Sequence, residues 1–142
     1  MALETRHRDR QVELTQMARQ HVFVVNGSPA FLDVIRELLQ DEMYNVTTTN
    51  FVPRTYEQIT SLQPDLLVID VVIGQTAGWD LLERLHAEAS TNRIPVIVVS
   101  TSSLLLEQAK EQAERYAGSH LLTKPFDFED LLGMIQELIG PA

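Results

Sequence analysis

The chain has 142 residues, of which 44% are hydrophobic and 22% charged, with a formal charge of −9; this is the profile of one domain able to bury a single sizeable core. No apolar run approaches the roughly 18 residues that span a membrane, and the polar, arginine-bearing start lacks the apolar core of a secretion signal, so a cytoplasmic location is expected. The absence of cysteine excludes disulfides, thiolate catalysis and Cys-ligated zinc. Residues 1–20 hold four arginines against three acids, so the remaining 122 carry −10, an acidity that repels phosphate backbones and argues against nucleic acid as a partner.

In chain order, residues 5–20 carry Leu14, Met17, Ala18 and His21 at helical spacing and read as an appended helix. His21-Val22-Phe23-Val24-Val25 is a short apolar strand. Ser28 before Pro29 signals a helix start, with Ser as N-cap and Pro at the first helical position. The helix runs to about Met43 and places Phe31, Val34, Ile35, Leu38 and Leu39 on one face. Residues 44–49 are β-branched and poor in large apolar groups, as suits an edge strand.

A helix from about Pro53 to Leu62 follows, then Asp65-Leu66-Leu67-Val68-Ile69-Asp70. Its four consecutive apolar residues show no period-two alternation, so both faces must be covered; that marks a central strand of a parallel sheet flanked by helices. Residues 79–89 form a helix expected to bury Trp79, Leu82 and Leu85. Residues 94–99 are a second apolar strand stopping at Ser100-Thr101-Ser102, where a serine is the natural cap of the next helix, near 104–116. A short strand at 119–122, then Lys124-Pro125-Phe126, then a helix 127–139 that Asp127 can cap and Gly140-Pro141 ends, complete the chain.

Five strands alternating with five helices predict an α/β doubly wound fold: a flavodoxin-like three-layer sandwich with a parallel sheet in the order 2-1-3-4-5. The helical extension 1–20 precedes a domain over 21–139. In that order the carboxyl ends of strands 1, 3, 4 and 5 share one edge, the edge where chemistry collects in open parallel sheets. Delivered there are Asn26 and Gly27, then Asp70, then Ser100 and Thr101, then Thr123 and Lys124. A carboxylate, a hydroxyl and an ammonium in one crevice can accept and hold a phosphoryl group: the carboxylate attacks, the ammonium neutralises developing charge, and the hydroxyl donates to a phosphoryl oxygen. Plainer roles compete. Asp70 can cap a turn, and Lys124 can serve only as its ion-pair partner.

The strand ending in Asp70, Gly78 eight residues on, the strand ending in Ser100, and Lys124-Pro125-Phe126 before the last helix together resemble the receiver domain of bacterial two-component response regulators, over about residues 21–139. The resemblance implies a signalling module rather than an enzyme, with Asp70 at the phosphoacceptor position, Lys124 at the invariant lysine and Ser100 at the Ser/Thr that reorients on phosphorylation. It implies a protein partner such as a sensor histidine kinase or a downstream signalling protein.

The departures are equally specific. Receivers end their first strand with two acids that help hold Mg²⁺; here stand Asn26 and Gly27. Of the ligands the family supplies, Asp70, Asn26 through its neutral carbonyl and Val72 through its backbone remain, so the formal pocket charge falls from −3 to −1 before Lys124 is counted. No high-affinity metal site is expected, and Mg²⁺ at most weakly. Leu121 and Gly74 occupy positions where many receivers carry an aromatic and a proline.

The sequence therefore reads as a stand-alone receiver, the chain ending one helix after Lys124, with Mg²⁺-dependent phosphorylation weak or lost. The alternatives are a competent phospho-accepting receiver and, from another class, a flavodoxin-like small-ligand binder or enzyme. Leu104, Leu105 and Leu106 cannot all face the core of one helix. At least one is expected near the surface, where a partner or a second copy can dock on the face built by that helix, strand 119–122 and the last helix; the N-terminal helix is the other expected dimer element.

Overall fold

The computed structural model describes residues 19–72, 74–113, 119–124 and 126–141. The expected helix at 5–20 falls almost wholly outside them, as does the end of the helix expected to reach 116. Ten elements alternate: β1 (His21–Val25), α1 (Pro29–Asp41), β2 (Asn45–Thr49), α2 (Thr55–Leu62), β3 (Leu66–Asp70), α3 (Ala77–Ala87), β4 (Val96–Ser100), α4 (Ser103–Ala113), β5 (Ser119–Thr123) and α5 (Phe128–Ile139). All strand pairs are parallel, in the order β2-β1-β3-β4-β5, as the alternation predicts.

Successive side chains of a strand point to opposite faces, and here each face meets its own helices. Phe23, Val25, Leu67, Ile69, Val96 and Val98 pack with Ile59 of α2, Leu81, Leu82 and Leu85 of α3, and Leu106 of α4. Val22, Val24, Leu66, Val68, Ile97 and Val99 pack with Leu32, Ile35 and Leu39 of α1 and Leu131 and Ile135 of α5. β1, β3 and β4 are buried on both sides apart from the first residue of β1, which is why they read as unbroken apolar runs. β2, half-buried throughout, is the edge strand its Thr-rich sequence suggests.

Several expectations need correction. Val34 is 56% exposed, while Leu32 takes its place in the core. At 100° per residue, Val34 lies about 130° round the helix from the centre of the Leu32, Ile35 and Leu39 row. Trp79 is only half-buried because its indole N–H donates to Glu83 Oε1 at 2.7 Å on the outer side of α3; Leu81 fills the core beside Leu82 and Leu85. The helix caps divide likewise. Ser28 Oγ accepts from the Phe31 N–H and Ser102 Oγ from the Leu105 N–H, but Asp127, at the N-cap of α5, makes no side-chain cap bond. The three leucines of α4 separate as expected: Leu104 is 61% exposed, Leu105 half-buried and Leu106 buried.

Two helical glycines, one in the first turn of α3 and one in the middle of α5, differ in what surrounds them. A Cβ on Gly78 in α3 would lie 2.3 Å from the backbone oxygen of Asp70, whereas one on Gly133 in α5 meets nothing within 4 Å. Gly78→Ala is therefore expected to cost more than about 2 kcal/mol, since backbone must move. Gly133→Ala should instead stabilise by about 0.5–1 kcal/mol through helix propensity. Urea unfolding midpoints of the two variants check both signs.

Candidate functional site

Register brings the expected residues together. Asp70 closes β3 opposite Val99, and Ser100 closes β4 opposite Thr123. The ladder continues past the strand ends, with the Asn26 N–H donating to Thr49 O, the Val71 N–H to Val99 O and the Lys124 N–H to Ser100 O. Each of Asn26, Val71 and Lys124 is thereby held one residue beyond its strand, at one rim.

Asp70 is 6% exposed. Its Oδ1 faces the Lys124 ammonium at 2.8 Å. This is a close charge contact rather than a well-aligned hydrogen bond, since Oδ1 is buried and takes no hydrogen bond of good geometry. Lys124, its side chain a quarter exposed, reaches over from the end of β5 to the carboxylate. Ser100, fully buried, donates its hydroxyl to Val71 O at 2.6 Å and accepts from the Ser102 N–H at 3.1 Å. It thus ties the loop after β3 to the loop after β4. Thr101 and Thr123, expected at the same rim, are exposed there.

Each of the three groups left for a cation already has one contact within the chain. Asn26, 4% exposed, uses Oδ1 to accept from the Ser28 N–H at 2.8 Å, an Asx turn that starts α1. Val72 O accepts from the Gln75 N–H at 3.1 Å. Asp70 Oδ1 faces Lys124. Gly27 is exposed, with open space where a side chain would stand. Among the described residues no group of three or more His, Asp or Glu is placed to hold a metal.

Sequence reasoning missed two features. Gly78 lets α3 approach the Asp70 backbone. Phe31, assigned only to the core face of α1, places its ring 5.6 Å from the Lys124 ammonium. Nothing in a linear pattern pairs residue 31 with 124.

The family model of the response regulator receiver domain matches residues 22–136. The chain belongs to the response regulator receiver domain family. This is the family of two-component signalling modules, and the five-stranded order 2-1-3-4-5 is its fold. Among curated relatives, the DNA-binding dual master transcriptional regulator RpaA of Synechocystis sp. is 26% identical over 118 residues, 83% of this chain and 48% of that protein. The chain thus spans about half the length of that relative. Protein PilH of Pseudomonas aeruginosa is 28% identical over 124 residues, 87% of this chain and 99% of PilH, a receiver-sized protein. Among solved structures, the receiver domain of a Pseudomonas aeruginosa sensor histidine kinase, with magnesium in its active-site cleft, aligns at a TM-score of 0.70 and 22% identity, covering 87% of this chain and 99% of that one. Among the described residues, no helix is long and apolar enough to cross a membrane.

The ion pair at the centre of this receiver has a measurable stability signature. Lys124→Met leaves the Asp70 carboxylate without its counter-charge and should lower stability by about 1–3 kcal/mol, less than for a fully buried pair because the Lys124 side chain is a quarter exposed. Adding Asp70→Asn to that variant should restore most of the loss. Urea denaturation of the two single variants and the double variant measures the coupling.

Proposed function

We propose that the receiver occupies residues 21–139, with residues 1–20 appended, and works through protein contact in phosphorelay signalling. Asp70 stands at the phosphoacceptor position, Lys124 at the charge-neutralising lysine and Ser100 at the reorienting hydroxyl. The sensor histidine kinase or downstream protein such a module serves is its expected partner. Mg²⁺-dependent phosphorylation is weak or lost. The observation that carries this reading is the rim itself: one carboxylate already facing one ammonium at 2.8 Å, with Asn26 and Gly27 where relatives place acids.

The donor set supports it. Mg²⁺ demands hard oxygens in near-octahedral geometry and surrenders its water reluctantly. Here a single carboxylate shares its charge with Lys124, Asn26 Oδ1 caps a turn, and Val72 O closes another. Two attractive charge terms are missing, each on the order of kcal/mol even at a surface-like dielectric. For a phosphoryl group to be held, Ser100 must release Val71 O, to which its hydroxyl now donates.

A competent phosphorelay receiver is the alternative, and restoring the acids separates the two. Asp at 26 keeps an acceptor for the Ser28 N–H, and Gly27 has room for a side chain. With acetyl phosphate and millimolar Mg²⁺, intact-mass analysis is expected to find little modified wild-type protein. The Asn26→Asp, Gly27→Asp double variant should gain roughly ten- to a hundredfold in modification rate. Stoichiometric modification of wild-type Asp70, unchanged in the double variant, contradicts the weakened-pocket reading.

The α4–β5–α5 face, whose α4 carries Leu104 at 61% exposure, is the surface we assign to protein contact, with a partner or a second copy. Leu104→Gln should leave the unfolding midpoint within about 0.5 kcal/mol of wild type while weakening self-association in sedimentation of the full chain; unchanged sedimentation of a self-associating protein removes that face from the account.

A further inference from the structure

The loop between β1 and α1 carries Asn26 and Gly27 and no carboxylate, and its hydrogen bonds lead to an aromatic ring. The Ser28 N–H donates to Asn26 Oδ1 at 2.8 Å, and the Phe31 N–H donates to Ser28 Oγ at 3.3 Å. With Pro29 at the first helical position, the first turn of α1 is held from both sides. The half-buried Phe31 ring lies with its centroid 5.6 Å from Lys124 Nζ. Phe126, two residues after Lys124, meets Phe31 at 84° between ring planes with centroids 6.4 Å apart, a T-shaped contact that restricts the ring.

The Lys124 ammonium therefore has two negative neighbours: Asp70 Oδ1 at 2.8 Å and the π face of Phe31. A ring centroid within about 6 Å attracts a cation through its quadrupole, more strongly where water is partly excluded. No carboxylate stands at 26 or 27, and the ring supplies negative potential to the ammonium in addition to Asp70.

We propose that Phe31 is a positioning residue for Lys124: its ring adds a second negative neighbour beside Asp70 and keeps the ammonium on that carboxylate. Lys124 is thus tethered from two sides, by β5 through its backbone and by α1 through the ring, and α1 is coupled to the charge state of the rim. The contact needs no phosphoryl chemistry. Its bearing on acceptance at Asp70 rests on the function proposed above.

The chain has two lysines, Lys110 and Lys124, and Lys110 is exposed on α4, so it serves as an internal reference. Trace labelling with acetic anhydride, read by peptide mass, is expected to modify Lys124 more slowly than Lys110 in the wild-type chain. Phe31→Leu should raise the Lys124-to-Lys110 ratio about three- to tenfold, and Phe31→Tyr, which keeps the ring, should return it to the wild-type value. The Lys124 ε-protons should show an upfield ring-current displacement by NMR that persists in Phe31→Tyr and Asp70→Asn and vanishes in Phe31→Leu.

A wild-type labelling ratio in folded Phe31→Leu overturns the proposal. So do ε-protons at the random-coil position in the wild-type chain, a measurement that needs no variant to fold. Neither readout uses a phosphoryl donor, so their failure removes the Phe31 role, whereas failure of Asp70 to accept a phosphoryl group in every variant removes the acceptor reading.

Discussion

A carboxylate and an ammonium 2.8 Å apart, the first almost wholly buried, set the terms for the rest of this rim. Asp70 sits at the end of a strand covered on both faces, so its charge cannot be left without a counter-ion. The parallel order that puts β5 beside β4 and β4 beside β3 brings Lys124 to it. Gly78 permits α3 to close over the Asp70 backbone. Ser100 binds the two adjoining loops through Val71 O. Each of these local choices serves the geometry of one pair.

The β1–α1 loop carries no carboxylate at 26 or 27. Its side-chain oxygens are spent on capping: Asn26 on the Ser28 N–H, and Ser28 on the Phe31 N–H. Such a loop orders a helix start; on the function proposed it offers a cation little, because it contributes neutral oxygens and no carboxylate. On the function proposed, the rim keeps the acceptor carboxylate of the family while its electrostatics are balanced within the chain. The likeness to PilH along nearly all of that protein and to RpaA along about half of it is compatible with receivers used alone and with receivers joined to other segments.

Much of this was legible from residue order alone. Unbroken apolar runs at 66–69 and 96–99 marked strands covered on both faces, and the alternation with helices left one common topology; that topology placed residues 70, 100 and 124 at one rim before any coordinates. What stayed hidden depended on direction rather than pattern. Val34 matched a helical spacing yet turned outward, because the helix settles on the Leu32, Ile35 and Leu39 row. Trp79 carried a polar N–H that found Glu83 outside the core. Phe31 met a residue 93 positions away, a contact made where the long Lys124 side chain, one residue past β5, reaches the first turn of α1 at the rim, and by no local signal.

The central claim is that this rim, with one carboxylate neutralised by Lys124, holds Mg²⁺ poorly. A Mg²⁺ titration of the unmodified full chain, followed by the backbone amide resonances of Asn26, Asp70 and Lys124, tests it without any phosphoryl donor. The account predicts small, unsaturated shifts through millimolar Mg²⁺. Saturable shifts of all three amides at submillimolar Mg²⁺ would contradict it.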